Sequence, residues 1–527
     1  MRIKLYKNIS SLLLPCLVFS IITGFISAIL ITAFKLMTEW VVHISASIYE
    51  AVRANPMWIP LLIVGAALIG LLASMVLSKS NSCKGGGIPT SIAAIKGILS
   101  FRWIAGVFIL PFSALLTYLA GLPLGTEGPC VQMGTAVGDG VIKCFGKEKN
   151  KGWRRYIMTG GASAGFSIAT GSPISAIIFA MEELHKHFSP MLLSIAAISV
   201  ITAQLTAGAL SAIGIGELGF FDIPEIEALP AALIFAPIIL GLVCGVGSIY
   251  FTRLYHLIDR LMRVVLKRFS DKIVLPILFA MVSVVGFFFA DTLGSGHSLI
   301  DALFAPGAAW YMLILVFLIR AIGMMMCNTS GATGGVFLPT LAFGAILGAL
   351  CGEILVSLGW IGEEHYLLMV VLGITAFLGA TSRIPLTACV FAIEALGGIN
   401  NLLPIVIAVT VALLSVEASG LEDLTDKIIE AKLHKAAWGR KPISVEESLT
   451  VGKDAFIIGK ELRDVLWPNA CVVVAYDRAD SSHDRGVISE GDVITLRYVT
   501  YDLAETKDEL NYLAGKQSCD AKQIITH

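Results

Sequence analysis

Charge is scarce in this chain. Asp, Glu, Lys and Arg make up 15% of its 527 residues, where a soluble globular domain carries about 25%, and the deficit excludes a purely soluble protein. Neither sign dominates: 38 basic against 39 acidic residues leave a formal net charge of −1, so bulk electrostatics do not draw the chain to nucleic acid. Paired cysteines are missing too. The ten cysteines form no Cys-x-x-Cys pair and no Cys/His cluster, so neither a zinc site nor a disulfide framework is suggested. Cys16, Cys130, Cys244 and Cys389 lie inside apolar runs and are expected as small buried hydrophobes. Nor is there a nucleophile elbow, a phosphate loop or a metal motif; the chain is not expected to be an enzyme or to carry a cofactor.

Apolar sequence is abundant, at 56% of residues, and it runs almost unbroken from about residue 11 to 418. The first run, 11–36, exceeds the core of a signal peptide, about 7–15 residues, and reads as a retained helix. A spanning helix needs about 20 apolar residues. Full-length candidates are 11–36, 59–78, 101–122, 190–213, 229–254, 273–291 and 309–326. The stretches 128–145, 158–182, 333–356, 366–381 and 385–397 are short or interrupted by Gly and Pro. Broken helices are tolerated at membrane depth only where the freed backbone is buried or lines a cavity, and in transporters they mark the binding site.

Loop charge predicts the topology. Arg2, Lys4 and Lys7 precede the first span; Lys147, Lys149, Lys151, Arg154 and Arg155 form one basic loop, and Arg253, Arg260, Arg263, Lys267, Arg268 and Lys272 another. The 217–227 loop holds Glu217, Asp222, Glu225 and Glu227 and no base. Basic loops face the cytoplasm, which puts both termini inside. After about residue 420 the composition changes. Short apolar runs at 456–458, 472–474 and 493–496 read as strands of a small soluble domain, and Asp502–Leu513 reads as a helix. The expected division is a membrane domain over 1–420 with halves at about 11–213 and 229–418, a linker over 421–442, a soluble domain over 443–515 and a tail over 516–527.

Two passages recur. Gly125-Thr126-Glu127-Gly128-Pro129 followed by Gly134 matches Gly335-Val336-Phe337-Leu338-Pro339 followed by Gly344, an offset of 210 residues (125 to 335). Pro173 to Glu182 matches Pro385 to Glu394, an offset of 212 (173 to 385). Collinear matches indicate two related halves, as in many secondary transporters. In the first pair a Gly-rich turn runs into a Pro at a helix start, where the missing N–H costs nothing. The unpaired N–H groups and the positive dipole end then face whatever lies ahead, which makes an anion site. Lys84-Gly85-Gly86-Gly87-Ile88-Pro89 offers a third such start. Simple close packing of helices through glycine is the competing account, and it weakens when three motifs and a repeat coincide.

Glu127 sits in the first turn. A carboxylate inside a membrane is a functional candidate by default; at a helix N-terminus it competes with a permeant anion when charged and leaves when protonated. Its repeat partner is Phe337, so the fold does not need an acid there. Glu182 has a repeat partner in Glu394 and reads as structural. Glu183 corresponds to Ala395, lies beside His185, Lys186 and His187, and is a candidate proton acceptor on the inner side.

The order Gly-Gly-Gly-Ile-Pro, Gly-Thr-Glu-Gly-Pro, Gly-Gly-Val-Phe-Leu-Pro resembles the three signature motifs of the CLC chloride channel and transporter family. The resemblance covers nearly all of 11–418. It implies an all-α polytopic membrane protein of two inverted-topology helical repeats with discontinuous helices, assembled as a homodimer in the cell membrane with one ion pathway per subunit. It also implies chloride and protons as substrates: Glu127 looks like the external gating glutamate, Glu183 like the internal proton glutamate of the antiporters. The backbone around Gly85, Gly86, Thr126–Gly128 and Val336, Phe337 and Leu338 looks like the set of anion ligands. Three departures stand out. Gly86 replaces a usual Ser hydroxyl, Ile399, counted back from Pro404, replaces a usual Tyr, and Thr126 replaces a usual Arg or Lys. Without the two hydroxyls a passive channel or uncoupled transporter is the alternative to chloride/proton exchange. The first motif does not look like that of the fluoride-exporting branch. In the C-terminal part, Gly459-Lys460-x-Leu462-x-x-Val465, the strand 472–474 and Ile488–Ile494 resemble the RCK C-terminal (TrkA-C) domain, a small α+β module that regulates ion transport and in some members binds cyclic di-AMP. The tail alone would also suit a cation transporter, against which the anion-type helix starts speak.

Overall fold

The computed structural model describes residues 2–99, 102–145, 152–216, 219–436, 443–453, 455–468, 471–479, 487–500, 503–515 and 521–523. Lys147, Lys149, Lys151 and Glu217 lie outside the described residues. The first half holds α1 (Arg2–Ala54), α2 (Ile59–Leu77), α3 (Gly87–Ile95), α4 (Leu110–Leu119), α5 (Glu127–Phe145), α6 (Arg154–Thr170), α7 (Pro173–Phe179) and α8 (Pro190–Ala212). The second holds α9 (Phe235–Arg268), α10 (Asp271–Phe288), α11 (His297–Leu303), α12 (Trp310–Ser330), α13 (Phe337–Ser357), α14 (Tyr366–Thr381), α15 (Pro385–Ala395) and α16 (Leu402–Ala418). Then come α17 (Leu424–Ala436) and a domain of β1 (Ile443–Thr450), β2 (Cys471–Asp477), β3 (Val493–Thr500), α18 (Leu503–Ala514) and β4 (Ala521–Gln523).

Among the described residues, nine helices are long and apolar enough to cross a membrane. Three expectations shift. The first run is one helix of 53 residues, about 80 Å at 1.5 Å per residue, far longer than 11–36. The stretches 128–145, 333–356 and 366–381, expected as short or interrupted, are continuous helices, Glu127–Phe145, Phe337–Ser357 and Tyr366–Thr381. The stretch 101–122 yields only the shorter apolar helix Ala105–Leu119.

The core of the membrane domain is the pair α5/α6 and its repeat counterpart α13/α14. Their glycines explain the closeness. A Cβ on Gly134 would stand 2.0 Å from the Gly161 carbonyl oxygen, and one on Gly344 would stand 2.5 Å from that of Gly373. Two helices that touch backbone to backbone gain dispersion contacts that lipid cannot supply. The corresponding helices α2 and α10 pack together at the periphery, with large apolar side chains such as Leu61, Leu68 and Ile277 exposed. Of the four cysteines expected as buried, Cys16, Cys130 and Cys244 are, while Cys389 is partly exposed.

The segment 421–442 is not a plain linker. Its residues 424–436 form α17, which packs against α3 and places Leu424 and Ile429 in the membrane-domain core. Its charge hid an amphipathic face. The final domain is a four-stranded antiparallel sheet in the order β2-β3-β1-β4. β1, which the sequence reading missed, pairs along its full length with β3 and alternates inward Val445, Glu447 and Leu449 with outward residues. Phe456–Ile458, expected as a strand, forms turns. Ile457 is buried there in the domain core, and Phe456 packs edge-on against Trp153 of the membrane domain with ring centroids 5.5 Å apart.

Candidate anion-binding site

The three glycine-rich turns converge. Gly125 and Gly335 exchange two backbone hydrogen bonds, each 2.7 Å from N to O, so the two repeat turns pair antiparallel. One bend residue later, Thr126 or Val336, the chain enters α5 at Glu127 and α13 at Phe337. Gly85 of the first motif donates to the Gly331 carbonyl at 3.2 Å. A Cβ on Gly87 would stand 1.8 Å from the Gly128 carbonyl oxygen, and one on Gly128 would stand 2.8 Å from Gly335 Cα. The motif glycines are therefore required by contact between three backbones. Pro89, Pro129 and Pro339 occupy the third helical residue rather than the first as expected. That position also has no intrahelical acceptor for an N–H, so the ring costs nothing there.

Glu127 is fully buried. Its Oε1 accepts from the Thr126 hydroxyl at 3.2 Å, and its Oε2 has no hydrogen-bond partner among the described residues. The carboxylate folds back over Gly125, with Oε2 2.5 Å from where a Cβ on that residue would be. The Leu338 backbone amide of α13 faces it. A carboxyl group thus lies across the starts of two helices, where orphaned N–H groups and both dipoles favour an anion. Phe337 supplies an apolar wall: its ring meets Phe166 and Phe391 edge-on at 5.1 and 5.8 Å.

Beyond Phe179, α7 continues as a π-helical turn, Ala180–His185, a local widening often found at functional positions. The turn sends two adjacent glutamates to different neighbours. Glu182 caps α15: its Oε2 accepts from the Thr387 amide and hydroxyl, both at 2.7 Å, and its Oε1 from the Leu386 amide at 2.9 Å. Glu183 turns inward and is 3% exposed. It faces Thr425 and Asp423 from the region of α17, while Lys186 bridges Asp423 and Asp426 at 2.8 and 2.6 Å.

Ile399 does not belong to the site. It is 67% exposed in the short 3-10 turn before α16, beside Asn401, whose amide hydrogen-bonds the backbone of Glu227 and Leu229. Counting back from a proline located it in the wrong turn. Gly86 does lie at the convergence, at the start of α3. Sequence reasoning missed Tyr118, whose hydroxyl donates to the Gly125 carbonyl at 2.9 Å, and also Thr425, Tyr255 and Asn328. The available signal was a polar group inside an apolar helix, which singles out Tyr118 and Asn328 but does not say where they point.

The voltage-gated chloride channel family model matches residues 65–417. The H(+)/Cl(-) exchange transporter ClcA of Yersinia pseudotuberculosis is 27% identical over 441 residues, 82% of this chain and 90% of that protein. Its namesake in Salmonella arizonae is 26% identical over 430 residues, 80% and 89% of the two chains. Among solved structures, a slow cyanobacterial Cl-/H+ antiporter superposes with a TM-score of 0.71 at 23% identity, covering 80% of this chain and 98% of that one. A eukaryotic CLC transporter gives 0.66 at 20% identity, covering 80% and 74%. With its motif turns converged and two-thirds of its length matched, the chain belongs to the voltage-gated chloride channel family.

Proposed function

We propose that this protein exchanges chloride for protons across a membrane, with Glu127 as the gate of the anion path and Glu183 as the proton acceptor at its inner end. The observation that carries the reading is the placement of one buried carboxylate across the paired starts of α5 and α13. An anion arriving there meets backbone donors and must displace Glu127. Protonation neutralises the side chain and frees the place, which ties the two ions to one position. The exchangers named above, matched over most of their length, support the same chemistry.

The C-terminal domain acts as a regulator in this reading, as a module of the RCK C-terminal type. It docks on the membrane domain at the start of α6. Arg155 pairs with Glu509 at 2.8 Å and donates to the Trp467 carbonyl at 2.7 Å, and the Leu466 amide donates to the Tyr156 hydroxyl at 3.0 Å. One turn further along α6, Thr159 Oγ1 hydrogen-bonds His185 Nε2 at 2.7 Å, two residues from Glu183. A shift of the domain is thereby transmitted to the turn that carries the internal acid. The domain meets the same face as the basic residues Arg154 and Arg155, which supports cytoplasmic termini. Two such subunits form a homodimer in the cell membrane.

The test is the reversal potential of purified protein in liposomes under opposed chloride and pH gradients. Exchange predicts a potential that moves with both, and one that follows chloride alone in Glu183→Gln. A wild-type potential that ignores pH would assign the protein to passive anion conduction instead.

A further inference from the structure

Asn328 ends α12 close to the third helix start. Its residue is 8% exposed. Its Oδ1 accepts from the hydroxyl of Tyr255, itself buried, at 2.7 Å, and its Nδ2 has no hydrogen-bond partner among the described residues. A buried amide donor without a partner is costly. Here the Tyr255 hydroxyl donates to Oδ1, which leaves Nδ2 on the opposite edge. That edge lies at Gly86, where an added Cβ would stand 3.2 Å from Nδ2 and 3.6 Å from the Gly334 carbonyl oxygen. Gly86 precedes α3, and no side chain caps that helix, so its first backbone N–H groups are donors in search of an acceptor. The positive charge nearby comes from Lys432 of α17. Its Nζ lies 3.0 Å from Thr90 Oγ1 and 3.3 Å from the Lys84 carbonyl oxygen, and Thr90 Oγ1 donates to the Gly86 carbonyl at 3.2 Å.

We infer that the Asn328 amide is an anion ligand in the transport path, oriented by Tyr255, and that it works with the backbone at the start of α3 to bind a small dehydrated monovalent anion such as a halide. This rests on the anion-transport reading above. Gly86 leaves open the space that the amide edge looks into, so the absence of a hydroxyl at that position does not leave the site without a side-chain donor. Tyr255 is a positioning residue: it touches the amide and sets its orientation without touching the anion. An amide donor on a rigid frame favours compact ions that repay a directional hydrogen bond over large diffuse ones.

The experiment uses the full chain, purified and reconstituted, with chloride binding by calorimetry and permeability ratios for chloride, nitrate and thiocyanate. Asn328→Leu keeps the shape and removes the donor. It is expected to weaken chloride binding about tenfold or more, since a hydrogen bond to a charged group is being lost, and to shift permeability toward thiocyanate. Tyr255→Phe is expected to shift both readouts in the same direction by less. Gly86→Ser in the Asn328→Leu background supplies a hydroxyl to the same space and is expected to restore chloride preference. If Asn328→Leu does not fold, Tyr255→Phe alone decides. Variants that remain monodisperse and keep wild-type chloride affinity and permeability ratios would overturn the inference while leaving anion transport standing. A wild-type protein that neither binds nor moves chloride would overturn the anion reading itself, and this inference with it.

Discussion

Glu182 and Glu394 each cap the helix that carries the other. The Glu182 carboxylate receives the Leu386 and Thr387 amides and the Thr387 hydroxyl. The Glu394 carboxylate receives the Ile174 and Ser175 amides and the Ser175 hydroxyl, at 2.7 to 2.8 Å. The two sets are related by the repeat offset, and the exchange is possible only if α7 and α15 run antiparallel. The halves are therefore inverted, which the sequence match alone does not reveal. Ile174 and Leu386 are exposed in the single chain, and their first-turn amides are held by these carboxylates.

Removing either cap should cost the same. Glu182→Ala and Glu394→Ala are each expected to destabilise the protein by at least about 3 kcal/mol, since three charged hydrogen bonds of roughly 1.5–3 kcal/mol apiece are lost and such contributions within one cluster do not add in full. The Gln variants should lose about half of that. Thermal melting of the detergent-solubilised protein compares the four, and a large difference between the two halves would contradict the symmetric role.

The convergence of turns leaves no room for a methyl group. A Cβ on Gly335 would stand 2.7 Å from the Gly128 amide nitrogen and 3.1 Å from its Cα. Both are backbone atoms, so rotamer changes cannot relieve the clash. Gly335→Ala is expected to separate α5 from α13 and to lower anion flux by at least tenfold, the misplacement of reacting groups by about 1 Å costing more than that in comparable sites. Gly65→Ala, where an added Cβ meets nothing within 4 Å, should leave flux unchanged. Radioactive chloride uptake into liposomes measures both.

The docked C-terminal domain hangs on few groups. Arg155→Ala removes the pair with Glu509 and the bonds to the Leu466 and Trp467 carbonyls. It should raise hydrogen exchange and protease sensitivity in 456–467 without changing the melting of the membrane domain. Unchanged protection would mean that the remaining contacts, the Tyr156 and Ser189 hydrogen bonds to 464–466 and the packing of Phe456 on Trp153, hold the domain without Arg155.

Docking should also depend on pH, through Lys460. Its Nζ is buried 2.9 Å from the centroid of the Phe456 ring and 4.9 Å from that of Trp153, without a hydrogen-bond partner among the described residues. Burial lowers its ammonium from 10.5 to about 6, against the pull of Asp464. Above pH 6 it docks as a neutral amine, and a neutral amine still donates to an aromatic face. The undocked lysine holds a proton up to about 10.5, so the undocked state binds more protons between those values, and docking strengthens as pH rises through that window. Exchange protection of 456–467 should increase from pH 6 to pH 9, and Lys460→Met should flatten the dependence. Protection that falls with rising pH would contradict this.

Much of the membrane domain was legible because its physics is local. Glycine, proline and a lone glutamate at a helix start carry their meaning within five residues, and the repeat doubled the signal at Glu127 and at Glu182. Long-range relationships were not legible. Ile399 was located by counting from Pro404, and only the fold shows that this turn sits beside Glu227. Residues 424–436 looked like a linker because their charge masks the apolar face of Leu424 and Ile429, which the packing against α3 then uses. β1 was missed because Glu447 interrupts its apolar alternation, and the structure shows why that is tolerated: the Tyr498 hydroxyl donates to Glu447 at 2.7 Å. Asn328 and Tyr255 are 73 residues apart, and nothing in either neighbourhood announces the pair.

The account stands on an anion and the Glu127 carboxylate sharing one place. Crystals of Glu127→Gln soaked in bromide test this directly by anomalous scattering. The account predicts a bromide peak between Gly125–Gly128 and Val336–Leu338, within contact distance of the Leu338 amide, in the position the glutamate carboxylate occupies in the wild type. Bromide that binds elsewhere in the path on basic side chains, leaving that position filled only by the glutamine, would contradict it.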